Sequence, residues 1–197
     1  ETALAVSVLA QRRVSLVFHF VTDRGGNRTV RQPAILGDLV DELNGIYEAQ
    51  AAVIFETEEP GNEVKLPFDI VDAVYEEKDL MDKRLGSNWG GLIGRRNWEK
   101  VFRSNNDARS LNIYLTPTDT PAASNDNAIP YVDVMNSTCV IEDGREPLEE
   151  MLPHAIGRLL GCPLQLKDRS HLMFWDATLR RTGDFIPRSC ALTLNRN

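Results

Sequence analysis

Histidine and cysteine are scarce in this chain, three of each among 197 residues. Cys139, Cys162 and Cys190 contain no C-x-x-C pair, which excludes a zinc knuckle and a thioredoxin-type redox motif. An odd number of cysteines fits one disulfide plus a free thiol, or three thiols, and neither count nor spacing settles the compartment. No apolar run reaches about 18 residues, so no segment reads as a membrane span. No block of Lys and Arg stands out, so the electrostatic footprint of a nucleic-acid binder is missing. The balance is 22 − 29 = −7, an acid excess that mainly implies solubility. A starting Met is also absent. The chain opens at Glu1, as expected of a mature or trimmed product whose targeting segment is out of view.

What is there is ordinary globular composition, 42% hydrophobic and 26% charged. The length suits one domain with a substantial core, residues 1–197, carrying an elaborated insertion around 58–110. Glu1 to Arg13 reads as a lead-in with a short helix over 2–9. Val14 to Val21 alternates as a strand does, and His19 in its middle reads as structural. Asp23 to Asn27 is a turn. Leu36, Leu39, Val40, Leu43, Ile46 and Tyr47 recur at helical steps, predicting a helix over 35–50, and a strand follows over 52–57. Strand, helix, strand is a βαβ unit, expected to be parallel and right-handed. Beyond a turn at Pro60-Gly61, the pattern predicts a mixed stretch over 64–75 with strand character, and helices over 79–85 and 97–103. The loop between those helices carries Trp89 and Gly91-x-x-Gly94. It lacks the lysine and the strand-loop-helix setting of a phosphate site and reads as plain loop. Strands are predicted over 111–115, 128–135 and 138–142, with a long polar loop over 118–127. A short helix over 187–194 closes the chain, with proline at its start.

Glu149 to Leu160 is a helix with visible ends. Acid residues crowd its start, where the helix dipole is positive. Pro153 suits a first turn, so the helix proper is expected to begin close to it. Gly161 and Pro163 stop it. His154 and Arg158, four apart, project side by side. The frame His154-Ala155-Ile156-Gly157-Arg158-Leu159-Leu160-Gly161-Cys162-Pro163-Leu164 can be laid over the zinc-helix pattern H-E-x-x-H-x-x-G-x-x-H. The first His and the Gly coincide. Ala155 stands at the Glu, Arg158 at the second His and Leu164 at the third. Met173 follows in His171-Leu172-Met173-Phe174, in the manner of a Met-turn. On these residues the chain resembles a metzincin metalloprotease with a dismantled active site.

The resemblance implies an α/β (α+β) fold. A mixed twisted sheet with helices would occupy residues 14–161, and a small C-terminal subdomain with the Met-turn residues 162–197. It implies an exported or extracellular location. It also implies a peptide laid antiparallel along the sheet edge before the helix, an edge drawn here from the Ala128–Glu142 region. Zinc hydrolysis needs three protein ligands, an open position and a base, and this frame supplies one ligand. At roughly 4 Å and an effective dielectric of about 20, a guanidinium and a dication repel by about 8 kcal/mol. That would erode most of a metal's binding energy. Arg158 is therefore expected to stand in the metal's electrostatic place, bridging Asp168 or Asp176 or else reaching to solvent. His171 is expected to orient the turn by a hydrogen bond, with Met173 packed below His154. No cofactor is expected. A relocated metal site would draw on His154, His171, Asp168 and Cys162. Cys–His catalysis would pair Cys162 with His154 or His171, although a helix C-terminus disfavours a thiolate. Three readings follow: an inactive protease-like module that binds a protein or peptide, a metallopeptidase with rearranged ligands, or an unrelated α/β structural domain.

Overall fold

The computed structural model of the chain describes residues 9–58, 60–68, 95–117, 131–143, 148–164, 167–174 and 183–196. The predicted helix over 2–9 except Leu9, the predicted helix over 79–85, the loop carrying Trp89 and the polar loop over 118–127 lie outside them.

The sheet is built on β1 (Arg12–Thr22), which begins two residues earlier than its alternation indicated. Val14, Leu16, Phe18 and Phe20 are buried on one face, and His19 and Val21 are buried on the other. A strand covered on both faces belongs in the interior of a mostly parallel sheet, and β1 is there. Helix α1 (Leu36–Ala51) carries the chain over one face to β2 (Val53–Thr57), which pairs parallel with β1 as the βαβ pattern predicts. The next strand, β3 (Asn62–Lys65), overlaps the stretch predicted over 64–75 only at Val64 and Lys65, and residues 69–75 lie outside the described set. It is also parallel to β1, beyond the end of β2. The turn at Pro60-Gly61 separates the two. Gly61 has φ +80, and a Cβ there would lie 2.9 Å from the Phe18 carbonyl oxygen, so glycine is required.

Helix α2 (Arg95–Asn105) precedes β4 (Leu111–Thr116), and β5 (Tyr131–Asp133) precedes β6 (Thr138–Glu142). The sheet order is β2-β1-β4-β6-β5, with β3 beside β1, and only β5 runs antiparallel. Helices α3 (Leu148–Leu159) and α4 (Arg188–Arg196) complete a mixed α/β fold. Residues of α1, α3 and α4 share the larger core with one sheet face, while Trp98, Val101 and Phe102 of α2 pack with Val21, Tyr114 and Val140 on the other. No helix among the described residues is long and apolar enough to cross a membrane.

Two amides close exposed backbone. Asn44 on α1 donates to the Phe55 carbonyl at 3.1 Å and accepts from the Phe55 N–H at 2.7 Å, satisfying groups on the edge strand β2. Asn195 on α4 donates to the carbonyls of Ala10 and Ala51 and so anchors the last helix to the end of α1.

His19 is structural, as its place in a strand predicted. It is fully buried, stacks on Tyr114 with ring centroids 4.2 Å apart, and holds Nε2 3.1 Å from Asn112 Oδ1. The Asn112 amide nitrogen donates to the carbonyls of Asp107 and Ser110, which aims its oxygen at the imidazole. Nε2 therefore carries the proton, and the buried Nδ1 has no hydrogen-bond partner. Protonating Nδ1 would bury a cation without an acceptor, and burial holds the His19 pKa below its ordinary 6.5. A depressed histidine pKa means the unfolded chain binds more protons. Stability is complete above about pH 6.5 and falls below it, by at most about 1.4 kcal/mol per pH unit. Urea midpoints measured from about pH 7.5 down to about pH 5 should decline in this window, and the decline should flatten in His19→Gln.

Candidate functional site

Helix α3 starts at Leu148, so Pro153 lies inside it and does not open it. The expectation of a start near Pro153 is corrected. Inside the helix proline removes one hydrogen bond and crowds the carbonyl four residues back, a cost of about 3 kcal/mol that the burial of Met151, Leu152, Ala155 and Ile156 offsets. The Pro153 carbonyl takes a further bond from Tyr47 Oη on α1 at 2.6 Å. The C-terminus is as the residues predicted. Gly161 has φ +87, the Gly161 N–H bonds the Arg158 carbonyl at 3.0 Å, and the Cys162 N–H bonds the Gly157 carbonyl at 2.9 Å. These are the paired bonds of a Schellman stop.

His154 is 1% exposed, with Nδ1 3.3 Å from the Leu172 carbonyl. A carbonyl only accepts, so Nδ1 carries the proton in that contact. Ala155 is fully buried in the core and offers no carboxylate. Arg158, one turn on, is half-buried. Burial lowers its pKa, opposed by the Cys139 thiol of β6, which is itself pushed up by burial and drawn down by Arg158. Leu164, at the third ligand position, is 50% exposed.

The expected Arg158–Asp168 bridge is not formed. Asp168 accepts from the Ser170 N–H at 2.9 Å and from Ser170 Oγ at 2.7 Å, a local turn that lowers its pKa and engages the carboxylate at the surface. Asp176 lies outside the described residues. His171 does orient the turn: its Nδ1 accepts the Met173 N–H at 2.9 Å. Burial lowers the His171 pKa, with Asp168 opposing. The Met173 side chain is fully buried, and its sulfur sits against Gly157 of the same helix as His154. A Cβ at Gly157 would be 2.5 Å from Met173 Sδ and 3.0 Å from Tyr47 Oη. Gly157 falls on an unassigned letter of the zinc-helix motif, so the motif gives it no role. Its signal was physical: a glycine inside a helix costs about 1 kcal/mol against alanine, which asks for a close neighbour.

Cys162 is bonded to Cys190, with Cα atoms 5.6 Å apart, and Cys139 is a free, buried thiol. This resolves the pairing. It also removes Cys162 from the relocated metal set and from any Cys–His catalysis. Among the described residues no three of His, Cys, Asp and Glu come together as a metal site, so His154, His171 and Asp168 are not assembled either. The donor set of α3, one imidazole beside Ala155, Arg158 and Leu164, does not fit a zinc ion.

The strand before α3 is β6, which lies between β4 and β5, and among the described residues the outer strand is β5, within the Ala128–Glu142 region from which the edge was expected. Only Tyr131–Asp133 are strand, shorter than predicted, because Asp133 accepts from the Met135 and Asn136 N–H groups and turns the chain into a short 3-10 segment, Val134–Asn136. Residues 128–130 lie outside the described set.

No protein-family model matches this sequence, and no curated protein matches it. Among solved structures, a zinc-dependent peptidase from Methanocorpusculum labreanum (strain Z) is similar in overall path. The TM-score is 0.47 and the identity 11%, covering 91% of this chain and 99% of that one. A likeness this distant does not reach the chemistry of the site.

Two variants probe this junction. Gly157→Ala gains helix propensity of about 1 kcal/mol but overpacks by roughly 1–3 kcal/mol. A net loss of about 1 kcal/mol is expected, read as a lowered urea midpoint. In a double-mutant cycle the loss should shrink when Met173 is already alanine. The Cys162–Cys190 bond spans 28 residues, and the paired Cys162→Ser, Cys190→Ser variant should lose about 3–4 kcal/mol. An unchanged midpoint would show that this bond does not constrain the chain.

Proposed function

We propose that this chain is a metalloprotease-like domain of the metzincin type that holds a peptide without cutting it. The observation that carries the reading is Arg158, a half-buried cation one helical turn from His154, where the motif calls for a second neutral imidazole. A fixed positive charge there opposes a dication. Ala155 supplies no general base, and Cys162 is held in a disulfide. With one ligand left, the metal-bound water that such enzymes activate has no support.

The peptide-holding half of the reading is supported by the short antiparallel edge strand β5, which lies beside β6 just ahead of α3. An outer strand of this kind offers backbone groups to an extended segment. The Cys162–Cys190 disulfide supports an exported or otherwise oxidising location. The chain would act as one domain.

Metal analysis of the purified protein tests the reading. Zinc well below one equivalent is expected, together with no chelator-sensitive cleavage of a casein digest. Stoichiometric zinc, or hydrolysis abolished by a chelator, would overturn it. Combining Ala155→Glu, Arg158→His and Leu164→His is expected to raise zinc uptake towards one equivalent, since the three changes restore the ligands and remove the repelling charge.

A further inference from the structure

Among the described residues, Arg31 and Arg158 are both partly withdrawn from water, and they are compensated differently. Arg31 has Nη1 3.3 Å from Asp143 Oδ1, donates to the Glu142 carbonyl at 3.0 Å and is further supported by Glu149. Asp143 in turn accepts from Thr29 Oγ1 and from the Val30 N–H, so that charge pair is closed on itself. Arg158 has no such arrangement. Among the described residues no carboxylate lies within ion-pair distance of it, Asp168 being engaged by Ser170. Its neighbour on the sheet side is the buried thiol of Cys139. The last turn of α3 offers the cation a dipole contribution of about 0.3–1 kcal/mol. Even so, the Gly157 and Arg158 carbonyls there already accept from Cys162 and Gly161. A lack of acid is not the reason, since the chain has 29 carboxylate side chains against 22 cations.

A partly desolvated cation is unfavourable without a counter-anion. A guanidinium is moreover a planar donor fork matched to a carboxylate. We propose that Arg158 is the receptor for a carboxylate carried by the bound peptide, either an Asp or Glu side chain or its C-terminus. This rests on the peptide-holding reading above and narrows it to acidic ligands. The whole-chain charge of −7 works against acidic peptides, so a preference for them has to come from a local receptor.

The test uses the immobilised chain and three pools of random octapeptides. The first is amidated and contains Asp and Glu. The second is amidated with Asn and Gln in their place. The third matches the second but keeps a free C-terminal carboxylate. Retention of the first or the third about tenfold above the second is expected, and which of the two is enriched identifies the source of the carboxylate. The enrichment should fall as salt is raised. Arg158→Gln should bring it to parity, and Arg158→Lys should keep part of it. Equal retention of all three pools, or a preference unchanged in Arg158→Gln, would overturn this inference alone. Retention of none would overturn both it and the peptide-holding reading.

Discussion

Strand β1 has to hide both of its faces, and the rest of the molecule is arranged to let it. It pairs with β2 and β3 along one side and with β4 along the other. Its even-numbered apolar residues need α1, α3 and α4 above them. Its other face needs α2, because His19 and Val21 are as buried as their neighbours. A parallel strand covered on both sides accepts a polar residue only when its hydrogen bonds are provided. Asn112, aimed by the carbonyls of Asp107 and Ser110, provides one for His19.

The candidate site depends on a second close approach. Helix α3 meets Tyr47 of α1 and Met173 of the C-terminal turn at one position, and that position has no side chain. One turn earlier in the same helix, the Tyr47 hydroxyl bonds the Pro153 carbonyl and the His154 imidazole bonds the Leu172 carbonyl. The disulfide from Cys162 to α4 then ties the end of α3 to the chain's last helix. Packing and cross-linking hold the floor of this site.

The same contrast runs through the charges. Arg31 is closed into a pair with Asp143 where the 23–31 turn crosses the end of β6, and it works as part of the scaffold. Arg158 is half-buried beside a thiol. The two guanidiniums differ in their partners, a carboxylate for Arg31 and a thiol for Arg158, and the receptor proposal for Arg158 is built on that difference.

The residues alone determined the βαβ opening, the stop of α3 at Gly161 and Pro163, the strand over 138–142 and the identities Ala155, Arg158 and Leu164 at their fixed spacing from His154. Each is local: a period of two or 3.6, a glycine followed by a proline, or an identity at a fixed spacing along one helix. Only the tertiary structure decided that Met173 lies against Gly157, that Cys162 pairs with Cys190, that Asp168 turns to Ser170 and not to Arg158, and that β5 is the outer strand. Those outcomes depend on which segments distant in sequence come within a few ångströms. Spacing along the chain carries no record of that, because a close approach is set by the joint packing of several elements and not by any one of them.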